Sequence, residues 1–134
     1  MPPRCICPRE ARGCARATAS QQLILPHELA LALAGRLDAI EVAAEAGALF
    51  AVGYQAADDL DDVERDVLNG ELNLVAVLAA RGEPQPHDAA RALAIERFQQ
   101  CMALAIGLPR DCGGLLAAQA RHRAALLARA IVPA

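Results

Sequence analysis

Alanine and leucine have to form almost all of the apolar interior of this chain, and this requirement restricts the fold. Hydrophobic residues make up 55% of the 134 residues, yet aromatic residues make up only 2%. Alanine, leucine, arginine and glutamate favour helices, whereas strands are enriched in β-branched and aromatic residues, which are sparse here. A chain of this length is one domain's worth and can bury a core. The sequence therefore predicts an all-α helical bundle.

The first 20 residues lack the apolar periodicity of the rest. They hold three prolines, one glycine and four arginines, so we interpret residues 1–20 as an irregular leader outside the fold and residues 21–134 as the helical domain. Five cysteines in no disulfide-like arrangement favour a reducing compartment, and we predict a cytoplasmic protein. The roles of Cys5, Cys7 and Cys14 are left open.

Helix start and stop residues divide the domain into predicted segments. Proline begins a helix well at its first turn, glycine ends one, and aspartate caps one, so Asp38 and Asp88 are the expected caps. We expect Tyr54 and Ile106 to lie on buried stripes. The predicted helices are Pro26 to Gly35, Ala39 to Leu68 with a stop at Asn69-Gly70, Leu72 to Ala80, Asp88 to Ile106, and Gly114 to Ala130.

An acidic cluster stands near the middle of the second predicted helix. At roughly 100° per residue, one arc of its surface carries five polar side chains, namely Gln55, Asp58, Asp59, Asp62 and Asp66. Carboxylates suit Mg²⁺, which is usually shared between protein and substrate phosphates. The cluster therefore predicts a magnesium-diphosphate site, and the alternative is a solvated acidic helix face.

The segment from Gly47 to Asp62 is a small-residue helix that ends in aromatic-Gln-x-x-Asp-Asp-x-x-Asp. This segment resembles the second aspartate-rich region of the trans-polyprenyl diphosphate synthases. The resemblance covers about residues 18–134 and corresponds to the C-terminal part of a protein about twice as long. It implies an incomplete C-terminal half of an isoprenoid-synthase-type helical bundle.

The resemblance also implies an activity and roles for individual residues. In the family, Mg²⁺ ions hold the diphosphate of an allylic substrate, ionisation leaves a carbocation, and isopentenyl diphosphate attacks it in a dry cavity. The chain would accordingly be a Mg²⁺-dependent prenyltransferase that takes these two diphosphates. The implied metal ligands and catalytic residues are Asp58, Asp59 and Asp62, and the implied supports of the substrate tail and cation are Tyr54 and Gln55.

The sequence departs from the family at three points. The first Asp-Asp-x-x-Asp cluster is absent, and the Lys-Thr pair is represented by Thr18 behind an alanine. The chain has no lysine, so Arg65 is the implied phosphate contact after the cluster, although it could equally neutralise Glu64 or Asp61 on the helix surface. We therefore expect the chain to be inactive alone, which leaves its status as an enzyme and its product length open.

A second functional hypothesis is a noncatalytic helical partner, or a module that associates with itself as a homodimer, because a half-bundle would expose apolar helix faces. Other partners are disfavoured. A formal charge of −3 and a pI near 5.5 give no reason to expect nucleic-acid binding. No uncharged apolar stretch is long enough for a transmembrane helix.

Overall fold

The computed structural model describes residues 31–32 and 34–130, without the side chains of residues 110–112. Within these residues the chain is helical and forms no strand, which confirms the all-α prediction. A 3-10 turn at Leu37–Ala39 precedes five helices: α1 (Ile40–Asp61), α2 (Val63–Leu68), α3 (Leu74–Ala80), α4 (Pro86–Ile106) and α5 (Arg110–Arg129). The predictions for the leader, Thr18, the three early cysteines, the start at Pro26 and the last residues fall outside the described part.

Helix α4 is the centre of the bundle because it packs against both α1 and α5, and the short α3 packs on α4 and α1. Phe50 of α1 meets Phe98 of α4 edge to face, with ring centroids 5.3 Å apart. Alanine occupies most of the remaining core, as the composition requires. The main cluster of buried residues is Ala46, Phe50, Ala56, Ala94, Phe98, Cys101, Ala105, Leu116, Ala117 and Ala120.

A glycine sets how closely α5 approaches α4. A Cβ added at Gly113 would lie 1.9 Å from the carbonyl oxygen of Ala105, a separation that real atoms do not adopt. The neighbouring Gly114 has open space at the same position. Of these two glycines, Gly113 is therefore the one that allows the backbones of α4 and α5 to come into contact.

The long helix predicted over 39–68 is interrupted. Asp62 leaves helical geometry, with φ −109° and ψ 10°, and separates α1 from α2. The predicted stop at Asn69-Gly70 is confirmed, because Gly70 has φ 65° and the Glu71 N–H donates to the Asp66 carbonyl oxygen at 2.8 Å. This hydrogen bond and the positive φ form the glycine-dependent C-cap that L-residues with side chains adopt poorly.

Four helix starts differ from the predictions, and the largest difference is that of α5, which begins at Arg110 and not at the predicted Gly114. Asp38 does not cap α1: its carboxylate accepts hydrogen bonds of 3.1 Å from Arg36, which lower its pKa. Asp88 lies in the first turn of α4 and pairs with Arg91, because Pro86 already begins that helix. Helix α3 begins at Leu74, two residues later than predicted.

Two residues predicted to be buried are exposed. Tyr54 is 42% exposed, and Ile106, the last residue of α4, is 66% exposed. No helix among the described residues is long and apolar enough to span a membrane.

Candidate functional site

The last turns of α1 carry the predicted site, and they divide it between two faces. Asp59 is only 5% exposed and points into the protein, with Gln55 one turn before it. Asp58, on the same side of the helix as Tyr54, and Asp62, at the break that follows the helix, are half-buried at the surface. The predicted polar arc is therefore divided in two. Gln55 and Asp59 form an inner pair, and Tyr54, Asp58 and Asp62 form an outer row.

Both carboxylate oxygens of Asp59 accept hydrogen bonds from the protein. Oδ1 accepts from Nε2 of Gln55 at 2.7 Å, and Oδ2 accepts from the backbone N–H of Leu74 at 2.8 Å. The Leu74 N–H is one of the first donors of α3, which have no partner within that helix. Asp59 thus fastens the end of α1 to the beginning of α3.

Asn73 completes this junction from a fully buried position. Its Nδ2 donates to the carbonyl oxygen of Asp59 at 2.8 Å and to Oδ2 of Asp66 at 3.0 Å. Its Oδ1 accepts from the N–H groups of Val75 and Ala76 and so caps α3. One amide side chain therefore connects α1, α2 and α3.

Arg65 lies beside the outer row. Its guanidinium donates to the Asp62 carboxylate and lies 3.8 Å from Oδ1 of Asp66. That Asp66 oxygen is buried and accepts no hydrogen bond within the described part of the chain. The interpretation that Arg65 neutralises Glu64 or Asp61 is wrong, because Asp62 is its partner.

The predicted three-aspartate magnesium site is not assembled as one group. Among the described residues, no set of three or more His, Cys, Asp or Glu side chains is placed to hold a metal ion. Asp59 already has two internal donors, which leaves Asp58 and Asp62 as the carboxylates placed toward the surface. Two carboxylates still suit Mg²⁺ when substrate phosphates and water complete its coordination.

Tyr54 contacts a cation that the sequence did not suggest. The Arg123 guanidinium of α5 lies 4.5 Å from the centre of the Tyr54 ring, within the range of a cation-π contact. On its other side Tyr54 stacks against Phe50, with centroids 6.5 Å apart. Arg123 also lines a surface hollow on α5, so Tyr54 lies next to a cationic side chain of that hollow.

Of the residues that complete this region, Asn73 could be predicted from the sequence and Arg123 could not. Asn73 precedes an apolar run that begins at Leu74, which is an N-cap pattern that predicts its role. Arg123 is one of several arginines along α5 and no pattern distinguishes it. Thr18, the implied partner of the missing Lys-Thr pair, lies outside the described residues.

Comparison of the chain with protein-family models, curated proteins and solved structures found no match. Any functional assignment therefore depends on the residues and contacts of the chain itself.

Proposed function

We propose that this chain is a diphosphate-binding helical domain of the isoprenyl diphosphate synthase type, in which Asp58 and Asp62 hold Mg²⁺ against the diphosphate of an allylic substrate. The observation that carries the proposal is the outer row, in which Tyr54 and Asp58 lie one turn apart on α1 and Asp62 follows at the break directly after that helix. An aromatic ring and two carboxylates on one face are the groups such a substrate requires.

The inner pair supports this assignment by giving the outer row a fixed position. Asp59 accepts a hydrogen bond from Gln55 within α1 and one from the backbone N–H of Leu74 in α3, so rotation of α1 about its axis would break the bond to Leu74. Asp59 would then be a positioning residue. A metal site requires its ligands to be held by such supporting hydrogen bonds.

Arg65 would contribute a phosphate contact. Its present hydrogen bond to Asp62 is at the surface, where its side chain is 56% exposed, and such ion pairs contribute only about 0–1 kcal/mol. The guanidinium can therefore exchange the Asp62 carboxylate for a phosphate oxygen at little energetic cost only while it stays beside the buried Asp66 carboxylate, 3.8 Å away. Bound Mg²⁺ would supply charge neutralisation of the diphosphate as it departs.

Binding of geranyl diphosphate, measured by calorimetry in Mg²⁺ and in EDTA, tests the proposal. We expect binding in Mg²⁺ only, weakened at least about tenfold by Asp58→Asn, since hydrogen bonds and contacts to charged groups contribute about 1.5–3 kcal/mol. Asp61→Asn removes the same charge from an exposed position on α1 and is the matched control. Equal effects of the two substitutions, or binding that persists in EDTA, would overturn the proposal.

The chain is not proposed to catalyse chain elongation by itself. It contains one Asp-Asp-x-x-Asp sequence, whereas a clamp on both sides of a diphosphate requires two. Incubation with isopentenyl diphosphate, an allylic diphosphate and Mg²⁺ should give no product above the level of an Asp58→Ala, Asp62→Ala double variant. Product above that level would show that one cluster suffices.

A self-associating helical module is the second candidate function, and exposed apolar residues favour it. Around the turn that follows α2, Val67 is 55%, Leu68 86% and Leu72 82% exposed. Adjacent exposed apolar side chains of this kind mark contact surfaces in soluble proteins. In this hypothesis the partner is a second copy of the chain.

Light scattering after size-exclusion chromatography in EDTA separates the two candidates. A module would dimerise without metal, and Leu68→Asp with Leu72→Asp would restore the monomer. Leu115→Asp, which changes a leucine on α5 that is 65% exposed, is the control. A monomer at all concentrations tested would eliminate this candidate and leave the diphosphate hypothesis unaffected.

A further inference from the structure

Helix α5 carries a hollow of about 410 Å³ on its surface, lined by Ala118, Gln119, His122, Arg123 and Leu126. These residues recur at the spacing that places side chains on one face of a helix. The volume lies in the range of small-molecule sites, which is about 300–1,000 Å³. None of these residues belongs to the acidic cluster of α1.

Arg123 is the cation of the hollow, and its environment differs from that of other arginines. Within the described residues, Arg123 is the arginine that lies over an aromatic ring, that of Tyr54. Like Arg81, Arg97, Arg121 and Arg129 it forms no ion pair there, whereas Arg36, Arg65 and Arg91 each pair with an aspartate. A guanidinium held by an aromatic ring keeps its N–H groups for another acceptor. The side chain is thus positioned without its charge being neutralised.

The position of Arg123 is anchored in the core through aromatic contacts. Tyr54 stacks on Phe50, and Phe50 meets Phe98 inside the bundle. Movement of the guanidinium away from this position would therefore break its contact with Tyr54, whose ring is itself packed against Phe50. Because the Arg123 side chain is already ordered, less conformational entropy is lost when a ligand binds it.

The remaining lining residues define the chemical class of ligand. Gln119 and His122, which precede Arg123 on the same helix face, add N–H donors to the lining, and together the three side chains suit an anion with several acceptor oxygens. A phosphate monoester has three such oxygens and suits a guanidinium fork. Leu126, which is 50% exposed, and Ala118 provide an apolar wall beside the donors.

We propose that the hollow on α5 binds a small amphiphile, a phosphate monoester of an aliphatic alcohol, with its phosphate on Arg123, His122 and Gln119 and its chain along Leu126. The binding requires neither Mg²⁺ nor Asp58. This site can therefore exist even if the diphosphate site on α1 does not.

Calorimetric titration of the full chain with octyl phosphate in EDTA tests this site. Arg123→Gln should weaken binding at least about tenfold. Arg121→Gln, which removes the same charge from an exposed neighbour on α5, should change it less than about twofold. Helicity by circular dichroism verifies that both variants fold.

Two ligands and one further pair of variants complete the experiment. Inorganic phosphate and octyl glucoside should each bind at least about tenfold more weakly than octyl phosphate, because each lacks one half of the proposed ligand. Tyr54→Phe keeps the ring under Arg123 and should retain affinity, whereas Tyr54→Leu should lower it. Equal losses in Arg123→Gln and Arg121→Gln, or octyl glucoside binding as tightly as octyl phosphate, would overturn the proposal.

Discussion

Gln55 donates a hydrogen bond from Nε2 to Oδ1 of Asp59 at 2.7 Å, one helical turn further along α1. This contact turns the central aspartate of the acidic cluster inward, while Asp58 stays at the surface. Two consecutive aspartates therefore have different positions, Asp59 buried within the fold and Asp58 half-buried at the surface. Their substitutions should separate stability from binding.

Substitution of Asp59 should lower stability. Asp59→Ala would leave the Leu74 N–H and the Gln55 amide without their acceptor, at a cost of about 1–3 kcal/mol in unfolding free energy. Asp59→Asn should cost less, because one oxygen can still accept from Leu74. Urea denaturation followed by circular dichroism measures both. Asp61→Ala on the exposed face should stay within about 0.5 kcal/mol of the parent chain, and an equal loss there would contradict the assignment.

Substitution of Asn73 should cost more than the loss of a helix cap. Asn73→Ala removes the cap of α3 and the donor to Asp66, together about 2–4 kcal/mol. Asn73→Ser keeps a capping oxygen and should recover part of this loss. Asn73→Asp also keeps the cap but places a second carboxylate against Asp66, so it should be less stable than Asn73→Ser in thermal unfolding. The reverse order would show that the amide donor contributes little.

The adjacent glycines of α5 should respond in opposite directions to alanine. Gly113→Ala would drive a methyl group into the Ala105 carbonyl oxygen, an overpacking that costs about 1–3 kcal/mol or more. Gly114→Ala meets open space and should stabilise the helix by about 0.5–1 kcal/mol. Thermal unfolding of the two variants side by side gives the comparison. If both stabilised the protein, α5 would not approach α4 as described.

Stability should fall at alkaline pH because of Cys101. Burial raises the pKa of its thiol from an ordinary value of 9.0 to about 11. Between these values the unfolded chain releases the proton while the folded chain retains it, so the unfolding free energy decreases by at most about 1.4 kcal/mol per pH unit. Below pH 9 the thiol is protonated in both states and this dependence vanishes. Urea titrations from pH 8 to 11 should give a shallower slope for Cys101→Ala than for the parent chain.

The helices could be predicted from the sequence because their end signals are local. Gly70 ended its helix as predicted because glycine adopts a positive φ without steric cost. Pro86 is an equally local start signal, although the prediction placed that helix start at Asp88. The helical composition likewise required no knowledge of tertiary contacts. The break at Asp62 had no such signal, since a single acidic residue is compatible with a continuing helix.

The organisation of the candidate site could not be predicted because its contacts join distant segments. Asp59 is buried by its hydrogen bond to Leu74, fifteen residues later, and helical periodicity cannot anticipate that partner. Tyr54 was expected in the core, yet it lies at the surface under Arg123 of another helix. Angular position along one helix shows which residues share a face, but the packing of the bundle decides what that face meets.

The chain has no tryptophan, and Tyr54 is its one tyrosine. Near-ultraviolet fluorescence of the unlabelled protein therefore originates from a single ring, located where the carboxylate row of α1 meets the cationic hollow of α5. Displacement of the guanidinium from that ring would alter the emission directly. The molecule thus contains its own optical probe at the boundary between the two proposed binding surfaces.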